Sequence, residues 1–530
     1  MQKLPIGISE FSELRGKKCV YVDKTKYVYS LLKDHARTFL ARPRRFGKSL
    51  FVSTLEAALQ GKKELFNGLW IAQSDYEWTL YGVIRLDFSQ LSSQTVAGFV
   101  EGLIYVLKDI GKTNNLKLSE SNDLNVVFMD LISNLYLKYQ SVAILIDEYD
   151  FPILHTLHDT KLAMGIRDVM KSFSCVIKAQ SSAVKIVFVT GVSAFSKSGL
   201  SSGLNNLDNL TMNERFFDVC GYTDLEVDYF FKEHIEEWAD FRKLAYDELR
   251  KQLKVWYNGY SFIENTPTVY SPFSFTCSLH IKKLHNFWFE SATPQVLLNE
   301  LNKEKRQNEC KILDVDQLRG TWDLLQTFEI ESLPLTALLF QMGYLTINSY
   351  DPLTRNYKLK YPNLEVRASF QRLLVALVTN KETAHINPLV GDLYAFLVQE
   401  KMEEVVAVLT NIISGIPYSL HIEEEKFYHA LLQTIFSAAG VEVQSERMTS
   451  IGRMDLVLEL PNILYILELK MNKSPEEGLN QIETQKYFET FLHKDKPIRA
   501  VGLSFVRIKT NKKKKASSDF VISYSMKTIK

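Results

Sequence analysis

The stretch that decides the fold is "RPRRFGKSLF", residues 42–51. It ends in the final part of the phosphate-binding pattern Gly-x-x-x-x-Gly-Lys-Ser/Thr, while Arg42 stands where that pattern has its first glycine. In such a loop, backbone N–H groups at the start of a helix point at phosphate oxygens, and a lysine adds a full positive charge. The residues expected to contact the phosphates are Arg44, Arg45, Phe46, Gly47, Lys48 and Ser49.

Four short apolar runs surround this loop, and helical stretches separate them. The runs are "TFLA" (38–41), "GVIRLDFS" (82–89), "VAILIDEYD" (142–150) and "VKIVFVTGVS" (184–193). Apolar strands that alternate with helices indicate a parallel sheet covered on both faces. We therefore predict an α/β domain of the P-loop NTPase type over residues 1–225.

The third apolar run ends in two acids, Asp147 and Glu148. A buried strand that brings two carboxylates to the loop predicts a Mg²⁺ site, with Asp147 and Ser49 as ligands and Glu148 polarising the attacking water. Thr190 or Ser193, at the end of the fourth run, is the candidate sensor of the γ-phosphate. A basic turn and an acidic helix cap would explain each motif alone, but their order along the chain is that of an ATPase core.

Length, charge and cysteine content set limits on the function. A chain of 530 residues is too long for one hydrophobic core and predicts two or three domains. Its 63 Lys and Arg against 62 Asp and Glu give no overall attraction for nucleic acid or membranes. The five cysteines form no Cys-x-x-Cys pair, which argues against disulfide frameworks and zinc ribbons. Because no apolar run approaches the roughly 18 residues of a membrane helix, we expect a cytoplasmic protein without membrane partners.

Residues 226–384 are expected to form a helical or winged-helix middle region. Apolar residues recur at three-to-four spacing in "FFKEHIEEW" and "ASFQRLLVALV", which predicts helices. Two β-like pieces, "GYLTINSY" (343–350) and "NYKLKYP" (356–362), flank the turn-rich "DPLTR".

The last predicted region, residues 385–530, begins with a helix and continues as a sheet. The segment "EKFYHALLQTIFSAAG" carries an apolar helical stripe and stops at Gly440. The segments "VEVQSE", "MDLVLEL", "NILYILELK" and "IRAVGLSFV" are typical of strands, and "QIETQKYFETFL" is predicted to be a helix before the last of them. This order predicts a second α/β domain.

A hairpin inside the last region predicts a second pair of acids. If Pro461 and Asn462 form a two-residue turn, the resulting register places Asp455 directly opposite Glu468. Like charges that face each other in a sheet cost up to about 1 kcal/mol unless a cation lies between them. A divalent metal would be that cation.

Lys470 joins this pair of acids, because strand alternation puts it on the same face as Glu468. Two carboxylates and an ammonium group around one point suit phosphodiester hydrolysis, in which a metal activates water and the lysine neutralises charge. Glu425, on the preceding helix, is a further candidate metal ligand. The alternative is an ordinary same-face ion pair on an exposed strand.

The motifs of the first 300 residues resemble those of the AAA-ATPase-like family of bacterial and mobile-element proteins. That family commonly has Arg-Pro-Arg-Arg-Phe before Gly-Lys-Ser, so Arg42 does not depart from it. The motifs that carry the resemblance are "KLPIGISEF", "YVDKTKYV", "LARPRRFGKSLF", "ILIDEYD", "TGVSAFSKSGLSSGLNNL", "CGYTDLEV", "WYNGYSF", "VYSPFSF" and "FWFESATP".

The carboxy-terminal motifs resemble the PD-(D/E)xK nuclease superfamily, in the branch fused behind an AAA-ATPase-like domain. They are "SERMTSIGRMDLVL", "YILELK" and "QIETQKYF". The resemblance implies a restriction-endonuclease-like α/β fold over residues 385–530. It also implies that Asp455, Glu468 and Lys470 fill the three core catalytic positions.

Together the resemblances imply a protein that uses ATP and Mg²⁺ and cleaves nucleic acid, DNA more than RNA, as in mobile-element or defence systems. The stretch from Lys470 to Lys530 carries 14 Lys or Arg against 6 Asp or Glu, which suits a polyanion. A homo-oligomer is a further expectation, since Arg215 would then complete a neighbour's site. The alternative function is a nucleotide-operated switch whose carboxy-terminal domain binds nucleic acid or a partner without cutting.

Overall fold

The computed structural model divides the chain into two compact units. The first contains Met1–Leu301 and Asp316–Glu365, and the second contains Asn302–Val315 and Val366–Lys530. The division into three parts at residues 225 and 384 stays a prediction. The structure describes residues 1–193, 207–288, 295–306, 318–326, 334–414, 416, 425–448, 453–507 and 520–530.

A five-stranded parallel sheet forms the centre of the first unit. Its strands lie in the order β2-β3-β4-β1-β5, and every neighbouring pair is parallel. All six residues of β3 are buried, as expected for a sheet covered on both faces. The predicted P-loop type of α/β fold is confirmed, and all four predicted strands are present. The strands are β1 (Arg37–Ala41), β2 (Gly82–Asp87), β3 (Val142–Asp147), β4 (Val184–Gly191) and β5 (Asp208–Asn209).

Helices follow the strands of this sheet. Several begin at polar caps, and the Asp123 and Asp159 carboxylates each accept two backbone N–H groups of the helix that they start. The helices up to the end of β4 are Phe11–Gly16, Thr25–Asp34, Lys48–Leu59, Val96–Thr113, Leu124–Tyr139, Phe151–Thr156 and Thr160–Ala179. Short 3₁₀ helices are Lys63–Phe66, Trp70–Gln73 and Phe88–Gln90, with Glu214–Phe216 after β5.

The rest of the first unit is helical and carries a small antiparallel sheet. β8 (Asn356–Lys360) lies between β6 (Arg319–Thr321) and β7 (Thr346–Asp351), so the two predicted β-like pieces pair as expected. An aromatic-rich core includes Trp238, Tyr257 and Phe275. The helices are Asp224–Phe230, Lys232–Arg242, Tyr246–Tyr257, Pro272–Ile281, Gln295–Arg306, Trp322–Gln326 and Leu335–Gln341.

The second unit contains a mixed five-stranded sheet in the order β13-β12-β11-β10-β9. β11 and β12 are parallel, and the other neighbours are antiparallel. The strands are β9 (Glu442–Met448), β10 (Arg453–Glu459), β11 (Leu464–Met471), β12 (Ile498–Arg507) and β13 (Phe520–Thr528). The helix Leu364–Thr379 begins with two residues of the first unit, Leu364 and Glu365, and continues in the second. The other helices of the second unit are Thr383–Val398, Met402–Ile413, Glu425–Ala438 and Pro475–Thr484, with the 3₁₀ helix Tyr487–Phe491.

Two local expectations for this unit were incomplete. The helix predicted over "QIETQKYFETFL" ends at Thr484, because Lys486 adopts a left-handed conformation with φ of 48° and a 3₁₀ helix follows. The edge strand β13 was not predicted. Its residues Val521 and Met526 are partly exposed, so its apolar pattern is weak, and its strand character comes from pairing with β12.

The predicted hairpin register is confirmed. β10 and β11 pair with Leu456 opposite Leu467 and Glu459 opposite Leu464. The N–H of Leu460 donates to the carbonyl of Ile463 across the two-residue turn, at 3.0 Å. Within the described residues, none of the helices is both long and apolar enough to cross a membrane.

Candidate active sites

The phosphate loop connects β1 to the helix Lys48–Leu59. Gly47 lies just before this helix with φ of 91°, a left-handed conformation that glycine adopts without strain. Arg45 also has a positive φ, of 67°, and such a conformation costs a non-glycine residue on the order of 1 kcal/mol. The loop therefore keeps a strained turn just before the helix, and the surrounding structure must hold it there.

A cavity of about 470 Å³ lies beside this loop. One wall consists of the predicted phosphate contacts, Arg44 to Ser49, with Asp87 and Glu148 from the ends of β2 and β3. Apolar side chains from segments outside the sheet also line the cavity. They include Ile8, Val20, Val22, Tyr222, Pro272 and Phe273. The lining of the cavity thus contains both charged and apolar side chains.

Lys48 and Glu148, which both line this cavity, form an ion pair. The Lys48 ammonium lies 3.2 Å from the Glu148 carboxylate and donates to the carbonyl of Pro43 at 3.3 Å. The Lys48 side chain is almost fully buried, whereas that of Glu148 is about one-fifth exposed. Glu148 has φ of 49°, so a second strained residue lies in this cavity.

Asp147, the last residue of β3, is buried, and its Oδ1 accepts the backbone N–H of Glu148 at 3.0 Å. Burial raises the pKa of Asp147 to about 6, the nearby Ser49 hydroxyl opposes that rise, and the nearby charge of Glu148 adds to it. Asp87 lies opposite Asp147 in the β2–β3 pair. A hydroxyl and a buried carboxylate close together are donors that a hard divalent cation prefers, so these residues fit Mg²⁺.

Arg42, at the position of the missing glycine, is a buried structural residue. Its guanidinium donates to the carbonyls of Ala41, Thr211 and Phe216 at 2.8–2.9 Å. Burial lowers its pKa to about 10. The hydrogen bonds of Arg42 connect the loop to the segment after β5. Its φ is not positive, so this position does not need a glycine.

The two candidate phosphate sensors make contacts within the protein core. Thr190 is fully buried, and its hydroxyl donates to the carbonyl of Leu40 at 2.7 Å. The Ser193 hydroxyl donates to the buried carboxylate of Asp150 at 2.6 Å. Neither sensor candidate belongs to the described residues that line the cavity. Their sensing role stays a prediction.

Asp150 was not singled out from the sequence, although "DEYD" contains it as a third acid. Its carboxylate also accepts the backbone N–H groups of Val192 and Ser193, so it holds the end of β4 against the turn after β3. Burial raises its pKa. A Cβ atom on Gly191 would lie 2.3 Å from this carboxylate, so the glycine leaves it room.

The second candidate site lies at one end of the β10–β11 hairpin. Glu468 is 2% exposed, and its Oε1 accepts a hydrogen bond from the Lys470 ammonium at 3.1 Å. Its Oε2 is buried and has no hydrogen-bond partner among the residues that the structure describes. Burial and the nearby charge of Asp455 raise the pKa of Glu468 to about 7. An unpaired buried carboxylate oxygen is costly, and a bound cation would satisfy it, so this site also fits a divalent metal.

Asp455 ends the regular pairing between the two strands. The pairs extend as far as Leu456 opposite Leu467, and beyond them the Asp455 Oδ2 accepts the backbone N–H of Leu469 at 2.8 Å. The carboxylate is thereby held against β11 beside Glu468. His429, which sequence reasoning missed, supports the other side: its Nε2 lies 2.6 Å from the Asp455 carbonyl oxygen. The signal was its position one helical turn after Glu425.

Glu468 is buried because a helix crosses very close to β11 and β12. The pair residue of Glu468 on β12 is Gly502, where a Cβ would lie 1.9 Å from the carbonyl of Pro475. At Gly478, in the helix Pro475–Thr484, a Cβ would likewise lie only 3.0 Å from the Glu468 carbonyl oxygen. Two glycines therefore let the helix cover the carboxylate.

Glu425 begins the helix Glu425–Ala438 and is exposed. Its charge contributes to the raised pKa of Glu468, but less than burial and Asp455 do. Over the described residues, no three His, Cys, Asp or Glu side chains come close enough together to hold a metal ion. The structure thus brings Asp455, Glu468 and Lys470 together, and the role of Glu425 as a further ligand stays a prediction.

Comparisons with known proteins place both sites in recognised domain families. Residues 5–201 match the model of a predicted AAA-ATPase, and residues 423–515 match the PD-(D/E)XK nuclease superfamily. An uncharacterized protein in the vnfD 5' region of Azotobacter chroococcum mcd 1 is 32% identical over 518 residues, which covers 96% of this chain and 97% of that protein. No solved structure matches. The chain belongs to the family in which an AAA-ATPase domain and a PD-(D/E)XK nuclease superfamily domain are joined in one polypeptide.

Proposed function

We propose that the protein hydrolyses ATP at the phosphate loop and cleaves nucleic-acid phosphodiesters at Asp455, Glu468 and Lys470, with Mg²⁺ at both sites. The observation that carries the proposal is the Oε2 of Glu468, which is buried beside a second carboxylate and a lysine and has no partner within the described part of the chain. A structural ion pair would satisfy both carboxylate oxygens or expose them to water. An oxygen reserved for a metal explains the arrangement.

At the phosphate loop, the backbone amides before the helix Lys48–Leu59 and the Lys48 ammonium bind the phosphates. Ser49 and Asp147 would hold Mg²⁺, which neutralises charge on the phosphates and orients them. Glu148 orients the attacking water and accepts its proton. Lys48 exchanges its bond to Glu148 for a phosphate oxygen, and this exchange frees the carboxylate for that role.

At the hairpin site, Asp455 and Glu468 would hold Mg²⁺, which supplies an acidified water and stabilises negative charge on the scissile phosphate. Lys470, whose ammonium lies 3.1 Å from the Glu468 carboxylate, stabilises the same charge. The backbone N–H of Leu469 orients the Asp455 carboxylate. The excess of 14 basic over 6 acidic residues from Lys470 to Lys530 attracts the nucleic-acid backbone without reading its sequence.

We propose DNA as the substrate in preference to RNA, and a cytoplasmic protein that acts in a mobile-element or defence system. These assignments follow the resemblance of the motifs. Self-association, with Arg215 acting on a neighbouring subunit, belongs to the same proposal, since Arg215 is exposed and lies outside the residues that line the cavity.

The test is cleavage by the purified full chain on single- and double-stranded DNA and RNA, with Mg²⁺ or Mn²⁺, with and without ATP. We expect Asp455→Ala to lose cleavage by at least about a thousandfold, since it removes a metal ligand. Glu489→Ala is the matched control, because Glu489 is an exposed acid of the same unit whose carboxylate lies 3.4 Å from the Lys486 ammonium. Undiminished cleavage by Asp455→Ala would reject the assignment. Nucleotide binding without any cleavage by the wild type would favour the switch.

A further inference from the structure

The phosphate loop is held by residues that lie far downstream in the chain. Each of its five positions from Arg42 to Phe46 contacts a residue of the segment 260–343. The contacts are Arg42 on the Phe262 ring at 4.2 Å, Pro43 against Gly343, the Arg44 carbonyl with Trp288 at 3.0 Å, Arg45 on the Phe273 ring at 4.6 Å, and Phe46 against the Tyr260 ring at 4.7 Å. Four of these five partners are aromatic.

The hydrogen bond to Trp288 orients one peptide of the loop. The Trp288 indole N–H donates to the Arg44 carbonyl, and the tryptophan is 1% exposed. In a trans peptide the C=O and the following N–H point in opposite directions, so this bond directs the Arg45 N–H away from the indole. Arg45 and Gly47 both have positive φ. The bond therefore stabilises a turn in which Arg45, a non-glycine residue, has a strained backbone conformation.

Trp288 is in turn fixed by a buried acid. The Glu365 Oε1 accepts the backbone N–H groups of Phe287 and Trp288, at 2.6 and 2.8 Å, and Glu365 is 0% exposed. The indole also packs edge-on against Tyr344, with ring centroids 5.0 Å apart. Gly343 leaves room at this point, since a Cβ there would lie 2.7 Å from Pro43 and 3.5 Å from the indole. These contacts together hold the indole in place.

We propose that Trp288 is a positioning residue of the nucleotide site. Held by Glu365, its indole N–H fixes the Arg44–Arg45 peptide, so that the loop keeps the shape that presents its amides to phosphate. This support comes from outside the loop, from a residue far downstream in the chain. This inference rests on the proposed nucleotide binding at the loop. It also places part of the nucleotide site outside residues 5–201, which match the ATPase model.

The test compares Trp288→Phe with Trp238→Phe in the full chain. Trp238 is an equally buried tryptophan, but its indole nitrogen has no hydrogen-bond partner among the described residues, so its replacement deletes a similar volume and none of the bonds that the structure describes. The first measurement is hydrogen exchange of the peptide that spans residues 42–47, in nucleotide-free protein. The second is the Kd for ATP with Mg²⁺, together with KM and kcat for hydrolysis.

We expect Trp288→Phe to speed exchange in the loop peptide and to weaken ATP binding, each by about tenfold, the effect of losing one hydrogen bond of ordinary strength. KM rises by the same factor, and kcat stays within about twofold, because the catalytic groups remain in place. Trp238→Phe is expected to change neither the loop exchange nor the Kd, even where it lowers Tm.

Wild-type exchange rates and Kd in Trp288→Phe would overturn the inference. A wild type that binds no nucleotide would reject the proposed function instead, and the exchange data would then decide the inference alone. If Trp288→Phe does not fold, 3-benzothienylalanine at position 288 keeps the ring volume and deletes only the N–H donor. Unchanged loop exchange in that protein would equally overturn the inference.

Discussion

The two candidate sites pair a lysine with a glutamate at nearly the same distance, 3.2 Å for Lys48 with Glu148 and 3.1 Å for Lys470 with Glu468. The fold assembles them in different ways. Lys470 and Glu468 lie two residues apart on one strand, and Asp455 reaches them across a two-residue turn. Lys48 begins the helix after β1 and Glu148 follows β3, so the two meet only when β1 and β3 are in place in the sheet.

The residues that support the two sites also differ in how far they lie from the site in sequence. The hairpin site is closed by a helix that follows β11 directly in sequence, through Gly478 and Gly502. The phosphate loop is held by Trp288 and Glu365, which lie far beyond the sheet domain. The comparison indicates that short sequence motifs contain the reactive side chains of a site. The contacts that keep the site rigid come from residues near or far in sequence, depending on the fold.

The largest expected effect separates the two activities. Glu148→Gln keeps the shape of the side chain and removes its charge, so we expect kcat for ATP hydrolysis to fall at least about a hundredfold while ATP still binds. Lys470→Ala should abolish metal-dependent cleavage and leave ATP turnover in the absence of nucleic acid unchanged. The measurements are phosphate release and cleavage assays on both variants. Loss of basal ATP turnover in Lys470→Ala would contradict the view that each site carries its own chemistry.

An intermediate effect concerns the buried support of the loop. Burial raises the pKa of Glu365 to about 7 from its ordinary value of 4.5. Folding therefore disfavours its charged form, so its contribution to the free energy of unfolding is fully present below pH 4.5 and is lost as the pH rises through 7. Glu365→Gln imitates the neutral form and should remove this loss, which amounts to about 3 kcal/mol.

The corresponding measurement is urea unfolding of the wild type and Glu365→Gln between pH 4.5 and 8. Asp147 and Glu468 also have raised pKa values, but they contribute equally to both proteins, so the difference isolates Glu365. A difference that does not change with pH would show that Glu365 keeps an ordinary pKa and that its burial is weaker than the structure indicates.

The smallest expected effect tests the candidate sensor. Thr190→Val removes a buried hydroxyl that donates to the Leu40 carbonyl, so we expect a loss of about 1 kcal/mol in the free energy of unfolding and little change in ATP turnover. Thermal unfolding and phosphate release measure the two effects. A strong fall in kcat without a loss of stability would instead support the sensing role of Thr190.

Patterns that are local in sequence predicted much of the molecule. The four strands of the first sheet follow from continuous apolar runs, and the β10–β11 register follows from alternation and a two-residue turn. The strands β5 and β13 escaped prediction because a two-residue strand and a partly exposed edge strand have no distinctive pattern. Asp150 and His429 escaped for a related reason, since their partners lie on other elements.

The sequence by itself therefore determined the class of fold, the succession of strands and helices along the chain and the lysine and glutamate that meet at each site. Only the tertiary structure decided that Arg42 is buried and hydrogen-bonded to backbone carbonyls of the protein. It also decided that one oxygen of Glu468 has no partner among the described residues, and that Trp288 supports the loop. Periodicity depends on neighbours within a few residues. Burial and hydrogen bonding depend on elements that the chain brings together from far apart.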